Sequence, residues 1–331
     1  MADLSTLLAE HPVLLADGGM GTGLFAQGLT TGDSPELWNV EHPEKVEAVH
    51  RGFVAAGSDI ILTNSFGGNR HRLKLHELQD RVGELNRAAA AVARSATAGA
   101  GRAVVVAGSI GPTGELIQPL GQLAYADAVA AFAEQAQALA EGGVDLLWIE
   151  TMSAAEEVAA AVEGAMATGL PVVTTLSFDT NGRTMMGITP EAAVTLFHGL
   201  PRRPLAFGAN CGTGPGQLLA TVLALKAAGE AGDVLVAKGN CGIPEYRHGH
   251  IHYSGTPAIM ADYARLARAC GARIVGGCCG TSAEHLAAMR VALDEPEAGP
   301  VPELAAIEAA LGPVILPTPA AEPRAARRRR G

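Results

Sequence analysis

Residues 204–212 read Pro-Leu-Ala-Phe-Gly-Ala-Asn-Cys-Gly, an apolar run that reaches Cys211 and then meets a glycine. A short apolar run that ends in turn residues predicts a buried strand. The amphipathic pattern of residues 215–228 predicts a helix directly after it. A buried strand followed by a covering helix is the repeating unit of a parallel sheet, and this unit recurs along the chain.

Eight runs of this kind occur, and each is followed by a helical pattern. They predict strands at residues 13–17, 59–63, 103–107, 145–150, 171–177, 204–210, 234–238 and 272–276. The amphipathic stretches predict helices at residues 43–56, 70–98, 124–141, 154–167, 190–200, 215–228, 257–269 and 283–293. Eight alternating strands and helices are typical of a single (β/α)8 barrel, the TIM barrel of the α/β class.

An open, doubly wound sheet is the competing architecture. Its dinucleotide fingerprint, G-x-G-x-x-G after the first strand, is not matched by Gly-Met-Gly-Thr-Gly-Leu at residues 19–24. The length of 331 residues also suits one barrel with insertions. We therefore predict one barrel over residues 1–294 and a C-terminal extension over residues 295–331. In that Pro, Ala and Arg-rich extension, residues 303–311 are expected to form one short helix and the rest to be disordered.

The composition excludes several classes of partner. Net charge is −10 even though five arginines lie in the last eight residues, so the acidic body should repel nucleic acid. The basic end is interpreted as a solvated, disordered terminus. No apolar stretch is long enough to span a membrane, and the start has no leader pattern, so we expect a cytoplasmic protein. The five cysteines are expected to be reduced.

Three cysteines stand where predicted strands end. Cys211 follows the sixth strand, and Cys278 and Cys279 follow the eighth. Because the carboxyl ends of barrel strands share one rim, these thiols can meet above the seventh strand. Three thiolates with a vacant fourth position form a catalytic type of zinc site, and the neighbouring glycines permit the close approach. Buried, reduced cysteines without a metal are the alternative.

Cys241 ends the seventh predicted strand, between the other two. Three interpretations remain open: a fourth ligand that closes a structural zinc site, a weak ligand that the substrate displaces, and a thiol that takes no part. Cys270 lies in a helical pattern and is predicted to serve packing.

Two carboxylates are expected on the same rim. Asp17 ends the first predicted strand and Glu150 ends the fourth. They suit either general acid–base work or the ammonium group of an amino-acid substrate, and a nearby thiolate zinc site favours the second role. The N–H groups of Gly18 and Gly19 would then meet the substrate carboxylate. The alternative role for Asp17 is to cap the following turn.

The expected metal site itself favours a reaction class. A zinc ion with three thiolates is a weak Lewis acid that suits holding and deprotonating an incoming thiol, which indicates alkyl transfer onto sulfur. The sequence His-Gly-His-Ile-His at residues 248–252 has two interpretations, a second metal site or, more in keeping with its composition, a lid loop.

Four motifs together resemble the homocysteine S-methyltransferase family, including its betaine-dependent bacterial members. They are Asp-Gly-Gly-Met-Gly-Thr at residues 17–22, Thr-Asn-Ser-Phe-Gly-Gly-Asn-Arg at 63–70, Gly-Ala-Asn-Cys-Gly at 208–212 and Gly-Gly-Cys-Cys-Gly-Thr at 276–281. The resemblance implies a (β/α)8 barrel and zinc bound by Cys211, Cys278 and Cys279. It also implies homocysteine recognition at Asp17, Gly18 and Glu150, so that the three cysteines and Glu150 are the expected catalytic residues.

The resemblance further implies methyl transfer to L-homocysteine, giving L-methionine, with glycine betaine as the expected donor. The donor-binding aromatic positions of the family correspond here to Gly67 and Thr151. Trp38, Phe66, Tyr246 and Tyr253 are therefore candidates to replace them from other loops. Two alternatives remain: methyl transfer from a separate corrinoid protein, or from another small donor such as S-methylmethionine. A homo-oligomer is also compatible with the sequence.

Overall fold

The computed structural model of the chain describes residues 2–247, 250–296 and 299–315. Its strands are β1 Leu14–Leu15, β2 Ile60–Leu62, β3 Val105–Ile110, β4 Leu146–Met152, β5 Val172–Leu176, β6 Ala206–Cys211, β7 Leu235–Gly239, β8 Pro244–Arg247, β9 His250–Tyr253 and β10 Ala272–Gly277. Within the described residues, β1 to β7 and β10 form one parallel sheet of eight strands. A parallel bridge between Ala16 and Ile60 joins its two outer strands. The predicted barrel is therefore confirmed.

Most of the α-helices cover the outside of this barrel, and α1 lies at its amino-terminal end. They are α1 Leu4–Glu10, α2 Met20–Ala26, α3 Trp38–Glu41, α4 Pro43–Ala55, α5 Arg70–Leu73, α6 Val82–Thr97, α7 Tyr125–Glu141, α8 Ala155–Met166, α9 Pro190–Gly199, α10 Pro215–Ala228, α11 Pro257–Ala269, α12 Ala283–Leu293 and α13 Leu304–Leu311. In the part of the chain that the structure describes, no helix combines the length and the apolar character needed to cross a bilayer.

The prediction of one helix over residues 70–98 is wrong. The chain forms α5, two short 3-10 turns and then α6. Glu77 lies between the two turns with a φ of 59°, a left-handed conformation that a right-handed helix does not contain. Leu73 and Val82, on either side of this break, are buried in one small apolar cluster. In the sequence, Leu75 and Val82 stand seven residues apart across the break, which is the repeat of one helix face, so the pattern resembles one helix.

Alternation along the strands divides the core into two layers. Leu14, Ile60 and Trp148 belong to the set that fills the barrel interior, and Leu4 and Leu7 of α1 pack against its amino-terminal end. The intervening residues of the same strands pack outward, against the helices, in a second and larger cluster. The interior is thus a packed core, and space for ligands is left at the carboxyl-terminal rim.

Two elements extend this barrel. The short helix predicted in the C-terminal extension is present as α13, and its Ile307 and Leu311 are buried in the outer core layer. Of the remainder predicted to be disordered, residues 297–298 and 316–331 lie outside the described residues, and residues 295–296, 299–302 and 312–315 are placed without helix or strand. Strands β8 and β9 pair as an antiparallel hairpin between β7 and α11. His248 and Gly249, part of the sequence interpreted as a second metal site or a lid, also lie outside the described residues.

The buried His50 makes the fold sensitive to acid. Both of its ring nitrogens lack a hydrogen-bond partner among the described residues, and burial lowers its pKa to about 3. The folded chain therefore keeps this imidazole neutral, whereas the unfolded chain protonates it below its ordinary pKa. Stability should fall as the pH drops below that value, because the unfolded state then binds the additional proton.

Replacing His50 with Met should reduce this loss. Between about pH 6.5 and pH 5, the wild-type free energy of unfolding should fall by about 2 kcal/mol more than that of His50→Met. Urea unfolding at constant ionic strength measures the difference. Equal pH dependence of the two proteins would show that His50 does not titrate as its burial implies.

Candidate active site

The three predicted zinc ligands meet at the carboxyl ends of β6 and β10. Cys211 lies opposite Gly239 of β7, and Gly239 lies opposite Gly277 of β10, directly before Cys278 and Cys279. The sulfur atoms of the three cysteines all lie within 4.8 Å of one another. The structure therefore brings together residues that are far apart in the sequence.

Backbone conformation and the lack of side chains allow this approach. Cys211 has a φ of 61°, in the left-handed region that non-glycine residues rarely occupy. A Cβ atom on Gly19 would lie 2.7 Å from the carbonyl oxygen of Cys278, and one on Gly277 would lie 2.2 Å from Thr281. Gly19 is thus required where the loop after β1 passes the paired cysteines, and Gly277 where the loop after β10 turns back toward Thr281. Strained backbone held in place by surrounding structure is common at functional sites.

Without a metal ion the thiols hold their protons. The hydrogen bond with Cys278 is the largest effect that raises the pKa of Cys211, to about 12. The hydrogen bond with Cys211 is the largest effect that raises the pKa of Cys279, to about 11. A metal ion that binds here must displace these protons, so its affinity should rise with pH.

Cys241 lies outside this cluster. It is buried, and a Cβ atom on Gly255 would lie 2.6 Å from its sulfur. Its backbone N–H donates to the carbonyl of Cys279 at 2.9 Å, and its own carbonyl accepts from the N–H of Gly255. The residue thus braces the backbone beside the thiols and directs its side chain toward the loop after β9. This placement favours the interpretation of Cys241 as a thiol that takes no part in metal binding.

One cavity of about 270 Å³ connects the thiols with the predicted carboxylates. Cys211, Cys278 and Cys279 line it together with Asp17 and Glu150. Phe66 and Glu36 line the same cavity. Phe66 is 39% exposed, so it lies on the solvent side of the cavity. The cavity therefore has an acidic region, a wall of thiols and a mouth with an aromatic ring.

The two carboxylates differ in their hydrogen bonds. Glu150 accepts from the hydroxyl of Ser109 at 2.6 Å through Oε1. Asp17 accepts from the N–H of Leu62 at 2.7 Å through Oδ2 and from the ammonium group of Lys238 at 2.6 Å through Oδ1. Burial raises the pKa of both carboxyl groups, and the charge of Lys238 opposes that rise.

Lys238 is a site residue that the sequence analysis missed. Only 2% of it is exposed, and it lines the cavity. Val236, two residues earlier on β7, belongs to the barrel interior, so strand alternation directs Lys238 inward as well. A lysine in the apolar sequence Leu-Val-Ala-Lys-Gly was the signal that could have identified it.

Asn210, next to Cys211, was missed as well. Its Oδ1 accepts from the N–H of Thr151 at 2.9 Å, and its Nδ2 donates to the Thr151 hydroxyl at 2.7 Å. Thr151 follows Glu150 and has a φ of 60°. The Asn210 amide therefore fixes the end of β4 relative to the end of β6. This fixes the position of Glu150 relative to that of Cys211.

The predicted glycine donors are only partly available. The N–H of Gly19 donates to the carbonyl of Thr281 at 3.0 Å, so the expectation that it is free for a substrate is wrong. Gly18 lines the cavity, and a Cβ atom there would lie 2.4 Å from the Thr281 carbonyl oxygen. Gly18 therefore remains the predicted backbone donor.

The candidate aromatic residues occupy different places. Trp38 lines a separate cavity, where the ammonium group of Lys45 lies 4.5 Å from its ring centroid. The Tyr253 hydroxyl hydrogen-bonds with the Cys279 thiol. The side chain of Tyr246 lies outside the described part of the chain. Phe66 is thus the candidate that lines the cavity beside the thiols.

Residues 14–293 match the family model described as homocysteine S-methyltransferase. The chain belongs to the homocysteine S-methyltransferase family. It is therefore an enzyme of a methyltransferase family, and the family indicated by the four motifs is confirmed. Among solved structures, the homocysteine methyltransferase MmuM from Escherichia coli in its metallated form is similar, with a TM-score of 0.73 and 27% sequence identity. That match covers 87% of this chain and 99% of MmuM.

Two kinds of curated relative share the family domain. A methionine synthase from Mycobacterium tuberculosis is 31% identical over 86% of this chain, which spans 25% of that protein. Betaine–homocysteine S-methyltransferase 1 from Danio rerio is 30% identical over 88% of this chain and 75% of its own length. The chain thus spans about a quarter of the methionine synthase that it matches and most of the betaine-dependent relative.

The thiol cluster fits a zinc ion. Bonds of about 2.3 Å in tetrahedral geometry place pairs of sulfur ligands about 3.8 Å apart. Because the three sulfurs already lie within 4.8 Å of one another, shifts of well under about 1 Å in each side chain would satisfy this geometry. Three soft thiol donors facing a cavity therefore suit zinc with one position left for a ligand.

Metal content should distinguish these thiols from Cys241. Cys278→Ala should lose bound metal, because two thiols bind zinc far more weakly than three. Cys241→Ala should keep one metal ion per chain. Mass spectrometry of the purified proteins after loading with zinc measures both, with circular dichroism to confirm folding. Loss of metal from Cys241→Ala would restore the interpretation of Cys241 as a ligand.

Proposed function

We propose that this chain catalyses zinc-dependent methyl transfer to the thiol of L-homocysteine, giving L-methionine. One observation carries the proposal: the three thiols of the candidate zinc site line the same cavity as Glu150 and Asp17. Homocysteine has a thiol at one end and an ammonium and a carboxylate group at the other. The candidate zinc site can bind the thiol, and the carboxylates of Glu150 and Asp17 can bind the ammonium group.

The chain's own groups orient the acceptor. The acidic region formed by Asp17 and Glu150 binds the ammonium group, and the N–H of Gly18 receives the substrate carboxylate. Both carboxylates are held by neutral or charged donors of the barrel, so their positions are set before the substrate binds. Fixing the amino-acid end in this way points the substrate thiol at the cysteines, which converts binding energy into orientation.

Zinc bound by Cys211, Cys278 and Cys279 would supply acidification of a fourth thiol, so that it reacts as the thiolate nucleophile at neutral pH. In the transfer, the homocysteine sulfur forms a bond to the donor methyl carbon while the bond from that carbon to the donor nitrogen breaks. The electron pair of the broken bond stays on nitrogen. With glycine betaine as donor, the second product is dimethylglycine.

Glycine betaine is the proposed donor because the cavity mouth suits a cation. Phe66 offers an aromatic face there, and Glu36 lines the same cavity although it is only 6% exposed. The carboxylate of Glu36 is fixed by the N–H of Gly67 at 2.7 Å and the hydroxyl of Ser34 at 3.0 Å. An aromatic ring and a fixed carboxylate attract a trimethylammonium group. The likeness to the Danio rerio betaine-dependent protein agrees with this choice.

Transfer from a separate corrinoid protein is the second candidate. The likeness to the Mycobacterium tuberculosis methionine synthase favours it, since this chain corresponds to only a quarter of that protein. In a third arrangement, another small donor such as S-methylmethionine reacts. All three candidates share homocysteine as the methyl acceptor and differ in the methyl donor.

An isotope experiment tests the proposal. Zinc-loaded protein is incubated with homocysteine and either deuteromethyl betaine, deuteromethyl S-methylmethionine or methylcobalamin, and methionine is measured by mass spectrometry. We expect labelled methionine and dimethylglycine in equal amounts from betaine, and neither product with Cys278→Ala. Labelled methionine only from the second donor, or methionine only with methylcobalamin, would reassign the donor, and none in any arm would contradict the proposed function.

Glu150→Gln should weaken homocysteine binding without loss of zinc. Removing one charge-assisted bond to the substrate ammonium should raise the homocysteine KM by about 10-fold to 100-fold. Steady-state kinetics and metal content are measured together. Glu156→Gln, on the exposed surface of α8, is the matched control and should keep the wild-type KM. An unchanged KM in Glu150→Gln would argue against contact with the ammonium group.

Phe66→Ala should affect the donor and leave the acceptor unchanged. Loss of the aromatic face should raise the betaine KM by roughly fivefold or more, while the homocysteine KM stays near the wild-type value. Phe25→Ala removes a ring that is 52% exposed and lies outside the cavity, and it serves as the control. A parallel rise in both KM values would place Phe66 in general support of the site.

A further inference from the structure

Both carboxylate oxygens of Asp17 are already hydrogen-bonded within the protein. Each of its two carboxylate oxygens accepts a strong hydrogen bond, Oδ2 from Leu62 and Oδ1 from Lys238. Only 1% of the residue is exposed. The ammonium group of Lys238 also donates to the backbone carbonyl of Asp17 at 3.1 Å. Two of the three N–H bonds of Lys238 are therefore directed at this one residue.

Glu150 is less occupied. Its Oε1 accepts from Ser109, and no hydrogen bond to Oε2 is seen among the described residues. Glu150 is also close enough to Lys238 for their charges to attract, although Lys238 bonds to Asp17. The buried ammonium group of Lys238 thus attracts two buried carboxylates, and it is hydrogen-bonded to that of Asp17.

We propose that Asp17 acts on the substrate through Lys238: by holding Lys238, it keeps Glu150 free as the carboxylate that takes the substrate ammonium group. Asp17 is then a positioning residue, and Glu150 is the residue that touches homocysteine. This inference rests on the proposed function and refines the role expected for Asp17.

The charges of these three residues explain why such an arrangement is useful. Two carboxylates and one ammonium group leave a single negative charge in the acidic region. One substrate ammonium group neutralises that charge, so the two carboxylates of this region are then matched by two ammonium groups. If Asp17 lost its charge, Lys238 would turn to Glu150, because a buried ammonium group without a partner is costly. The region would then be neutral and would no longer attract the substrate.

A double-mutant experiment separates the indirect role from direct contact. Asp17→Asn should release Lys238 onto Glu150 and weaken homocysteine binding by about 10-fold or more. Adding Lys238→Met removes the competing cation, so Asp17→Asn/Lys238→Met should return to within about threefold of wild type. If Asp17 itself binds the ammonium group, the double variant should stay as weak as Asp17→Asn.

Two further variants make the rescue specific. Asp17→Asn/Lys226→Met removes an exposed lysine of α10, so its homocysteine affinity should equal that of Asp17→Asn alone. Asp17→Asn/Lys238→Gln replaces the lysine with a neutral polar side chain, and it serves if the methionine variant does not fold. Calorimetric titration of each zinc-loaded protein with homocysteine gives the dissociation constants, and thermal melts confirm the fold.

The outcomes distinguish this inference from the proposed function. Rescue by Lys238→Met or Lys238→Gln, without rescue by Lys226→Met, supports the inference. Failure of both rescues in folded protein overturns it, while wild-type homocysteine binding shows that the proposed function still stands. Absence of homocysteine binding to the zinc-loaded wild type would overturn the proposed function, and the inference with it.

Discussion

The register of three neighbouring strands is the constraint on which the site depends. Cys211 of β6 pairs across with Gly239 of β7, which pairs with Gly277 of β10. Neighbouring strands lie about 4.8 Å apart, so cysteines on either side of β7 can direct their sulfurs over it. A slip of one residue in either pairing would turn a cysteine toward the helices. Tyr263 of α11 reinforces this register, because its hydroxyl accepts from the N–H of Gly239 at 2.9 Å.

The same rim carries charges that a barrel core would ordinarily exclude. Asp17, Glu150 and Lys238 are each less than a tenth exposed. Burying such groups is costly unless each has a partner, and apolar side chains of similar volume would often stabilise a fold as well or better. These three residues lie at the carboxyl-terminal rim, where the apolar interior ends and the cavity begins. We infer that they are kept there because a ligand of the cavity needs them. The hydrogen bonds from Leu62 and Ser109 offset part of the cost and fix the geometry.

The sequence predicts the scaffold better than the details of the site. Each barrel strand is a continuous apolar run, so its position and its outward or inward alternation follow from composition alone. Cys211, Cys278 and Cys279 could be expected on one rim because they follow such runs. The pairing of Lys238 with Asp17 could not be predicted from the sequence. It joins the ends of the first and seventh strands of the barrel and depends on barrel closure. The break at Glu77 was hidden for a different reason, since Leu75 and Val82 keep the seven-residue spacing of one helix face across it.

The filled interior of the barrel has a consequence for the order of events. In the part of the chain that the structure describes, inward side chains such as Trp148, with Leu4 and Leu7 below them, fill the amino-terminal end, and the cavity lies at the rim that carries Phe66. Under the proposed function, an amino acid bound at Glu150 would lie behind a donor held near Phe66. The acceptor would then enter before the donor, and the demethylated donor would leave before methionine. The order of binding would thus follow from the way α1 closes the far end of the barrel.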